Sequence, residues 1–487
     1  MSKEIESLQP QRLWKNFAAL NEVPRPSKKE EKVIAFMQNY GQQLGLETTT
    51  DATGNVLIKK PATKGMENRK KVILQSHLDM VHQKNNDTDF DFDKEGIKMY
   101  IDGDWVKAKG TTLGADNGIG VASIMTILES SDIPHPALEA LFTIDEETGM
   151  TGAFGLEPGF LHGEILLNLD TEDDNELTIG CAGGIDVNAE KEYEEVAIPK
   201  DYIVYKLAIK GLTGGHSGMD IILGRGNANK LMNRVLYQLA EEIPLGICEI
   251  HGGGLRNAIP RESIASIAIP KTSKDKFSSI CEAFEKEVKI EHELTDPNFI
   301  FEISEGENAS KMATVDFSKK ITQAIYAAPN GIYRMSSTVQ GMVQTSNNIA
   351  QVNMVNGQFL CLTLCRSSVD SEKLDEVRAI ASAFAIIEAE FSSSGSYPGW
   401  TPRAQSDIVD IMEKIYKEKF KESPNVTACH AGLECGIIGS NYPDMDMVSF
   451  GPNIRGPHSP DEKVQISSVK KFWDYLLEIL QQIPLED

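Results

Sequence analysis

Residues 137–149 read Ala137-Leu138-Glu139-Ala140-Leu141-Phe142-Thr143-Ile144-Asp145-Glu146-Glu147-Thr148-Gly149. A hydrophobic run stops abruptly in acids and a glycine, the pattern of a buried strand that presents charge at its carboxyl end. Strand residues alternate faces and Gly149 releases the backbone into a turn, so Glu146 and Glu147 need not point the same way or share a role. A solvated strand end in an acidic protein is the plain alternative. What decides between the two is whether other strands end the same way.

They do. Lys71-Val72-Ile73-Leu74-Gln75 runs into Ser76-His77-Leu78-Asp79-Met80, and Glu164-Ile165-Leu166-Leu167-Asn168-Leu169 runs into Asp170. Near the C-terminus, Met447-Val448-Ser449-Phe450 leads into the loop 451–462 with Gly456-Pro457-His458-Ser459. Before the opening stretch lies a glycine-rich loop, 110–120, followed by the helical run 121–128. As a phosphate cradle it lacks the Lys-Ser/Thr ending and carries Asp116 at its centre, so nucleotide binding is set aside. Strands that alternate with helices and end in acids predict an α/β, doubly wound catalytic domain, with ligands outside the carboxyl ends of its strands.

The 487 residues exceed what one hydrophobic core usually supports, so more than one domain is expected. Lys and Arg number 48 against 72 Asp and Glu, a formal charge of −24 that repels nucleic acid and anionic membrane surfaces. Neither is expected as a partner. Seven cysteines without framework spacing point to reduced thiols, and residues 1–7 are charged with no apolar signal core. No apolar run approaches membrane-spanning length. The expectation is a cytoplasmic protein.

From Gln11 to Gly45 the apolar spacing is helical, interrupted by Val23-Pro24-Arg25-Pro26-Ser27, where Ser27 and Glu30 suit a capping box for the second helix. After Cys181-Ala182-Gly183-Gly184 the texture changes to alternating strands and charged helices. It changes back at the Ser/Gly/Pro-rich segment 391–400. The catalytic domain is therefore assigned to 1–185 and 401–487, interrupted by an inserted α+β domain, 186–400. Leu255-Arg256-Asn257-Ala258-Ile259 and Ser346-Asn347-Asn348-Ile349-Ala350 each lead towards a strand, which suggests that the insert consists of two related halves.

His77, Asp79, Asp116, Glu146, Glu147, Asp170 and His458 all sit at strand ends or in the glycine and C-terminal loops. Nitrogen and oxygen donors without a thiolate suit catalytic zinc, manganese or cobalt rather than a structural zinc knot. Two ions sharing one bridging carboxylate need five ligands for three protein contacts each, leaving a position for water. His82, His135, His162, His251 and His292 match no such pattern and read as ordinary hydrogen-bonded residues. The grouping Cys429, His430 and Cys435 has no common structural zinc spacing and is set aside.

Six pieces, in order, extend over nearly the whole chain: Ser76-His77-Leu78-Asp79-Met80, Leu113-Gly114-Ala115-Asp116-Asn117-Gly118, Asp145-Glu146-Glu147-Thr148-Gly149, Asn168-Leu169-Asp170, Gly214-Gly215-His216-Ser217-Gly218 and Gly456-Pro457-His458-Ser459. On these the chain resembles the M20 metallopeptidase family, which includes carboxypeptidase G, aminoacylase, carnosinase and peptidase V. The resemblance implies two divalent metal ions per chain, with zinc expected and cobalt or manganese as alternatives. It implies that His77 and Asp170 hold one ion, that Glu147 and His458 hold the other, and that Asp116 bridges them. Asp79 would then orient the His77 imidazole. Glu146 would be the general base, taking a proton from water and returning it to the departing amine.

The same resemblance implies that His216, from the insert, stabilises the oxyanion, either in its own chain or across a dimer. Arg366, in Cys365-Arg366-Ser367-Ser368, would hold the terminal carboxylate with Asn257 as a neutral donor, and Glu434 would receive the substrate ammonium. A surface charge is the plain alternative for Arg366, and a helix N-terminal carboxylate for Glu434. The implied function is hydrolysis of unblocked dipeptides, including carnosine-like ones with C-terminal histidine, by a homodimer joined through the insert, which also serves as a lid. The residues themselves show no histidine preference. An N-acyl-amino-acid deacylase with the same metals and a non-catalytic binding protein of the same fold are the rivals.

Overall fold

The apolar runs that stop in acids become strands Val72–His77, Leu138–Thr143, Ile165–Asn168 and Asp446–Ser449 in the computed structural model, which describes residues 2–306 and 309–486. Every residue of the first three strands is buried, which a period of two permits only when both sheet faces are covered. The four lie parallel, in the spatial order Leu138–Thr143, Val72–His77, Ile165–Asn168, Asp446–Ser449. Glu47–Thr50 and Val56–Lys60 extend one edge of this sheet, and Glu176–Cys181 and Asn425–Cys429 the other. Helices Gln11–Asn21, Ala115–Glu129 and Ile466–Gln482 bury Trp14, Phe17, Ile119, Phe472 and Leu476 in one core with the strands.

The path of the chain explains where a site can form. From Val72–His77 it passes through helix Ala115–Glu129 to the neighbouring strand Leu138–Thr143, then returns on the opposite side as Ile165–Asn168. Such a reversal leaves a crevice beyond the carboxyl ends of the strands. Gln75 pairs with Asn168 and His77 with Thr143, so His77, Asp170 and the 145–147 segment all emerge at that end.

Two local expectations change. Helix Glu31–Gln43 has no Ser27–Glu30 capping box: Ser27 Oγ donates instead to Asp79 Oδ2 at 2.8 Å and Met80 O at 3.1 Å, while Lys28 N donates to Glu30 Oε1. The helix starts only at Glu31, with Glu30 in the cap position, so Ser27 lies ahead of its first turn and its hydroxyl is free to donate to a buried carboxylate brought in by the fold. The helix after the glycine loop also begins earlier than predicted, at Ala115, with Asp116 and Asn117 departing from helical dihedral angles.

Contacts divide the chain into two compact units, one made of Met1–Gly180, Pro402–Ala428 and Leu433–Asp487, the other of Cys181–Thr401 with Cys429–Gly432. In the second unit, strands Tyr202–Lys210, Gly246–Gly253, Ser263–Pro270 and Ile300–Glu305 carry helices Ala228–Glu242 and Lys274–Glu291 between them. Strands Gly183–Glu192, Val343–Val355, Gln358–Ser367 and Glu390–Tyr397 carry helices Val315–Ala327 and Asp370–Phe384 in the same βαββαβ order. Each half arranges its strands fourth, first, third, second, and the two second strands pair antiparallel at the centre of one sheet.

The first half is inserted after the opening strand of the second, so the repeat is interrupted in sequence. The two asparagine-bearing segments that suggested the repeat are not equivalent. Residues 255–259 lie between the second and third strands of one half, whereas 346–350 lie within the second strand of the other. A bridge between Cys181 and Trp400 closes the stem of this unit, and Ala182 N donates to the carbonyls of Cys429 and Ala431.

Candidate metal centre

His77 ends its strand with both ring nitrogens engaged. Nδ1 stands 3.2 Å from Asp79 O and 3.3 Å from Asp79 Oδ1, both acceptors, so Nδ1 keeps its proton and Nε2 is the nitrogen that would bind an ion once its own proton is displaced. Nε2 lies 3.2 Å from Asp116 Oδ1 and 3.5 Å from Asp170 Oδ1. Asp79 does more than orient this ring: its Oδ1 accepts Glu146 N at 3.0 Å and its Oδ2 accepts Glu147 N at 3.3 Å. One buried carboxylate thereby ties the His77 strand end to the acidic turn after Thr143.

Asp145 makes that turn possible. It adopts a left-handed φ of +56°, a conformation that aspartate tolerates better than most residues, and its carboxylate accepts Lys28 Nζ at 2.5 Å, Thr151 Oγ1 at 2.6 Å and the Thr148 hydroxyl. His458 is carried on the hairpin between Ile454–Arg455 and Lys463–Gln465, also with a left-handed φ, +60°. Its Nε2 stands 2.9 Å from Glu147 Oε2 and 3.5 Å from Asp116 Oδ2.

These contacts make two triads of donor atoms, His77, Asp116 and Asp170 in one and Asp116, Glu147 and His458 in the other, each with its atoms within 4.8 Å of one another. Asp116 belongs to both. Ligands about 2.0–2.2 Å from a tetrahedral zinc-sized ion stand roughly 3.3–3.6 Å apart, close to the spacing of most of these pairs. The donor set therefore fits two ions sharing one carboxylate. A third cluster, Glu30, Asp79 and Asp145, is already engaged by Ser27, Lys28 and the backbone around it. None of the three groups contains a cysteine, nor His82, His135, His162, His251 or His292.

Electrostatics point the same way. Burial by itself would depress the His77 imidazolium, but the Asp170 charge and the bonds to Asp116 and Asp170 outweigh it and raise the pKa well above normal. The contacts to Asp116 and Glu147 lift His458 to about 11. Asp116 is held below the usual carboxylate range because His458 and His77 outweigh its burial. Glu146 is pushed well up by burial, with the charges of Asp170, Glu147 and Glu434 adding to it, and burial also raises Glu147 and Asp170. Crowded acids that hold protons in this way form a site that calls for positive charge.

Glu434 begins helix Glu434–Asn441 in the same unit, yet it is no surface cap. It is buried; its Oε2 accepts Gln75 Nε2 and Thr143 Oγ1, each at 2.7 Å, and its Oε1 has no partner. Burial lifts its pKa to about 7.

His216, Asn257 and Arg366 belong to the second unit. His216 Nδ1 accepts the N–H groups of Gly218 at 3.1 Å and Met219 at 3.0 Å, so the ring proton must reside on Nε2. Burial and the Arg366 charge lower its pKa, keeping this imidazole a neutral donor. Arg366 is 5% exposed, which rules out the surface-charge alternative; Nη1 donates to Tyr397 OH at 3.0 Å and Nε is unpartnered. Asn257 is exposed on a turn whose carbonyl accepts Ser217 N at 2.7 Å.

Three residues were given no role by the sequence reading, which set His430 aside with its neighbouring cysteines and passed over Arg25 and Glu462. His430 belongs to the second unit, is buried, and contacts Ser346 Oγ through Nε2 at 2.7 Å; burial followed by the Arg366 and His216 charges brings its pKa down to about 3. Its backbone comes so close to Gly218 that a Cβ there would lie 2.1 Å from His430 O. The glycine beside His216 was the available signal. Arg25 and Glu462, buried charges of the first unit, sit in segments that read as a linker and a loop.

Comparison with known proteins agrees with this geometry. Residues 73–482 match the model of Peptidase family M20/M25/M40. The chain is 44% identical over 481 residues to the cytosol non-specific dipeptidase of Escherichia coli, covering 99% of each. The crystal structure of aminoacylhistidine dipeptidase from Vibrio alginolyticus superposes with a TM-score of 0.95 at 45% identity, covering 100% of both chains. Aminopeptidase PepT from Bacillus cereus, at 16% identity and a TM-score of 0.57 over 98% of this chain and 99% of that one, shares the fold. Such a match over most of the chain leaves one assignment: this protein belongs to peptidase family M20/M25/M40 and is a metal-dependent enzyme.

Proposed function

We propose that this chain is a two-metal dipeptidase that hydrolyses unblocked dipeptides, with Xaa-His substrates of the carnosine type among them. The observation that carries the reading is the pair of donor triads sharing Asp116. The relatives support it: one is named a cytosol non-specific dipeptidase, the other an aminoacylhistidine dipeptidase. A cytoplasmic location is inferred from the first name, and no helix among the described residues is long and apolar enough to cross a membrane.

His77, Asp116 and Asp170 would hold one ion and Asp116, Glu147 and His458 the other; the nitrogen and oxygen donors suit zinc, cobalt or manganese, and zinc is the ion that the family resemblance implies. When bound, the ions supply Lewis acidity, polarising the scissile carbonyl and acidifying water. Glu146 takes the proton from the attacking water and delivers it to the departing amine; burial already raises its affinity for that proton. Asp79 keeps His77 in the tautomer that offers Nε2, and holds the Glu146 and Glu147 backbone.

His216 donates from Nε2–H to the oxyanion, in its own chain or across a homodimer joined through the inserted unit. That unit acts as a lid, and Arg366 with Asn257 takes the substrate carboxylate. Glu434 receives the ammonium on its unpartnered Oε1. The testing experiment is a panel of free dipeptides, with and without C-terminal histidine, beside their N-acetylated forms, run on metal-stripped enzyme reloaded with zinc, cobalt or manganese. Free dipeptides should be cut fastest. Faster cleavage of the acetylated forms would make the enzyme a deacylase instead.

A further inference from the structure

Glu462 is 2% exposed and lies four positions beyond His458, yet its carboxylate serves a different segment of the chain. Oε2 accepts the N–H groups of Leu113 at 2.6 Å and Gly114 at 2.9 Å, and Oε1 accepts those of Ala115 at 2.7 Å and Asp116 at 3.2 Å. Four successive amides at the start of helix Ala115–Glu129 are thus satisfied by one side chain from a distant loop. Gly114, at the helix start, has no side chain to do this locally.

Arg25 holds the other side of the same peptide. It is 1% exposed, and Nη2 donates to Gly114 O at 2.6 Å and Asn21 Oδ1 at 3.0 Å, while Nη1 donates to Leu78 O and Asp79 O, both at 3.1 Å. Only glycine fits between the two charges. Gly114 has φ +68°, and a Cβ there would lie 2.5 Å from Arg25 Nη2. From Glu462, on the loop that carries His458, through the Gly114 peptide and Arg25 to the residues after His77, a continuous line of hydrogen bonds from two buried side chains joins four segments far apart in sequence.

We propose that Glu462 and Arg25 are positioning residues that clamp the Gly114 peptide between opposite charges and so set the separation of Asp116, His458 and His77. The proposal rests on the two-metal reading above. Ligands must be held within about 0.5 Å of productive geometry; strand pairing of Lys463–Gln465 with Trp105–Ala108 brings the His458 hairpin near the Asp116 loop, and the Glu462 and Arg25 side chains bind that loop directly. Glu462 ties Asp116 to the His458 hairpin, so its loss should loosen the Asp116, Glu147 and His458 triad. The His77, Asp116 and Asp170 triad keeps its support from Arg25.

Glu462→Gln tests this because an amide turns N–H towards two of the four N–H donors. Metal-stripped wild type and variant are titrated with Co2+ by calorimetry and visible absorption, with circular dichroism to verify folding. Wild type should bind two ions. The variant should keep one near wild-type affinity, bind the other about 10- to 100-fold more weakly, and show an altered cobalt spectrum for that ion alone. Glu462→Asp, which keeps the charge but is one methylene shorter, should shift the same ion in the same direction by less, and it decides the matter if the glutamine variant does not fold. Wild-type binding of both ions by the folded variants, or an equal loss at both sites, overturns the proposal. Failure of the wild type to bind two ions overturns the two-metal reading, and the proposal with it.

Discussion

Glu376, on helix Asp370–Phe384 of the inserted unit, has no exposed surface and neither carboxyl oxygen has a hydrogen-bond partner. Burial raises its pKa from 4.5 to about 9. The folded protein therefore keeps the group protonated at neutral pH, whereas the unfolded chain releases the proton above pH 4.5. A raised folded pKa makes stability greatest below the unfolded value and drains it as pH rises towards the folded one. At pH 7 the gap of 2.5 units from 4.5, at about 1.4 kcal/mol each, amounts to a penalty on the order of 3 kcal/mol.

Glu376→Gln removes the titration and leaves a neutral group of similar shape. Urea unfolding of wild type and variant at pH 5, 6, 7 and 8 should show the variant's relative stability growing by about 1.4 kcal/mol per pH unit, to roughly 4 kcal/mol more at pH 8 than at pH 5. The change of amide for acid adds an offset that does not vary with pH, so the slope is the diagnostic quantity. A stability difference independent of pH would show that Glu376 is ionised or hydrated in the folded chain, and the reasoning from its burial would fail. The helix also bears on the proposed site: Lys373, on the same helix, donates to Tyr397 O at 2.5 Å, and the Tyr397 hydroxyl accepts from Arg366.

Three further outcomes are expected. Glu146→Gln should retain both ions by metal analysis while kcat falls about 10²- to 10⁴-fold, whereas Glu147→Ala should lose one ion first; equal metal loss in both variants would contradict their separate roles. His216→Ala should lower kcat by roughly 10²- to 10³-fold with little change in KM, since the Nε2–H donor acts on the transition state. Glu434→Gln should raise KM for free dipeptides and leave cleavage of N-acetylated ones unchanged; an equal effect on both classes would remove Glu434 from ammonium recognition.

What could be read from the chain alone follows from local physics. The strand cores of Val72–His77, Leu138–Thr143 and Ile165–Asn168 are apolar runs whose abrupt endings are visible without any partner, and the α/β class follows from their alternation with helices. His77, Asp79, Asp116, Glu146, Glu147, Asp170 and His458 could be nominated because nitrogen and oxygen donors at strand ends and in glycine-flanked loops suit a divalent ion, and the family resemblance then implied which five of them are ligands. The structure decided which of them converge: Asp116 stands in two triads because a parallel register and a hairpin bring residues 77, 170, 147 and 458 around it.

Partner choice at long range was hidden for the same reason. Ser27 looked like a helix cap, but the helix begins beyond it at Glu31 and its hydroxyl donates to Asp79, and Glu462 looked like loop polarity until four amides of the 113–116 segment met it. The two asparagine segments suggested a repeat that exists in the strand order and not at their own positions. Hydrophobic period is a property of neighbours in sequence and survives inspection of one strand at a time. A buried charge is satisfied by whichever group tertiary packing places within about 3 Å of it, and no local pattern encodes that choice.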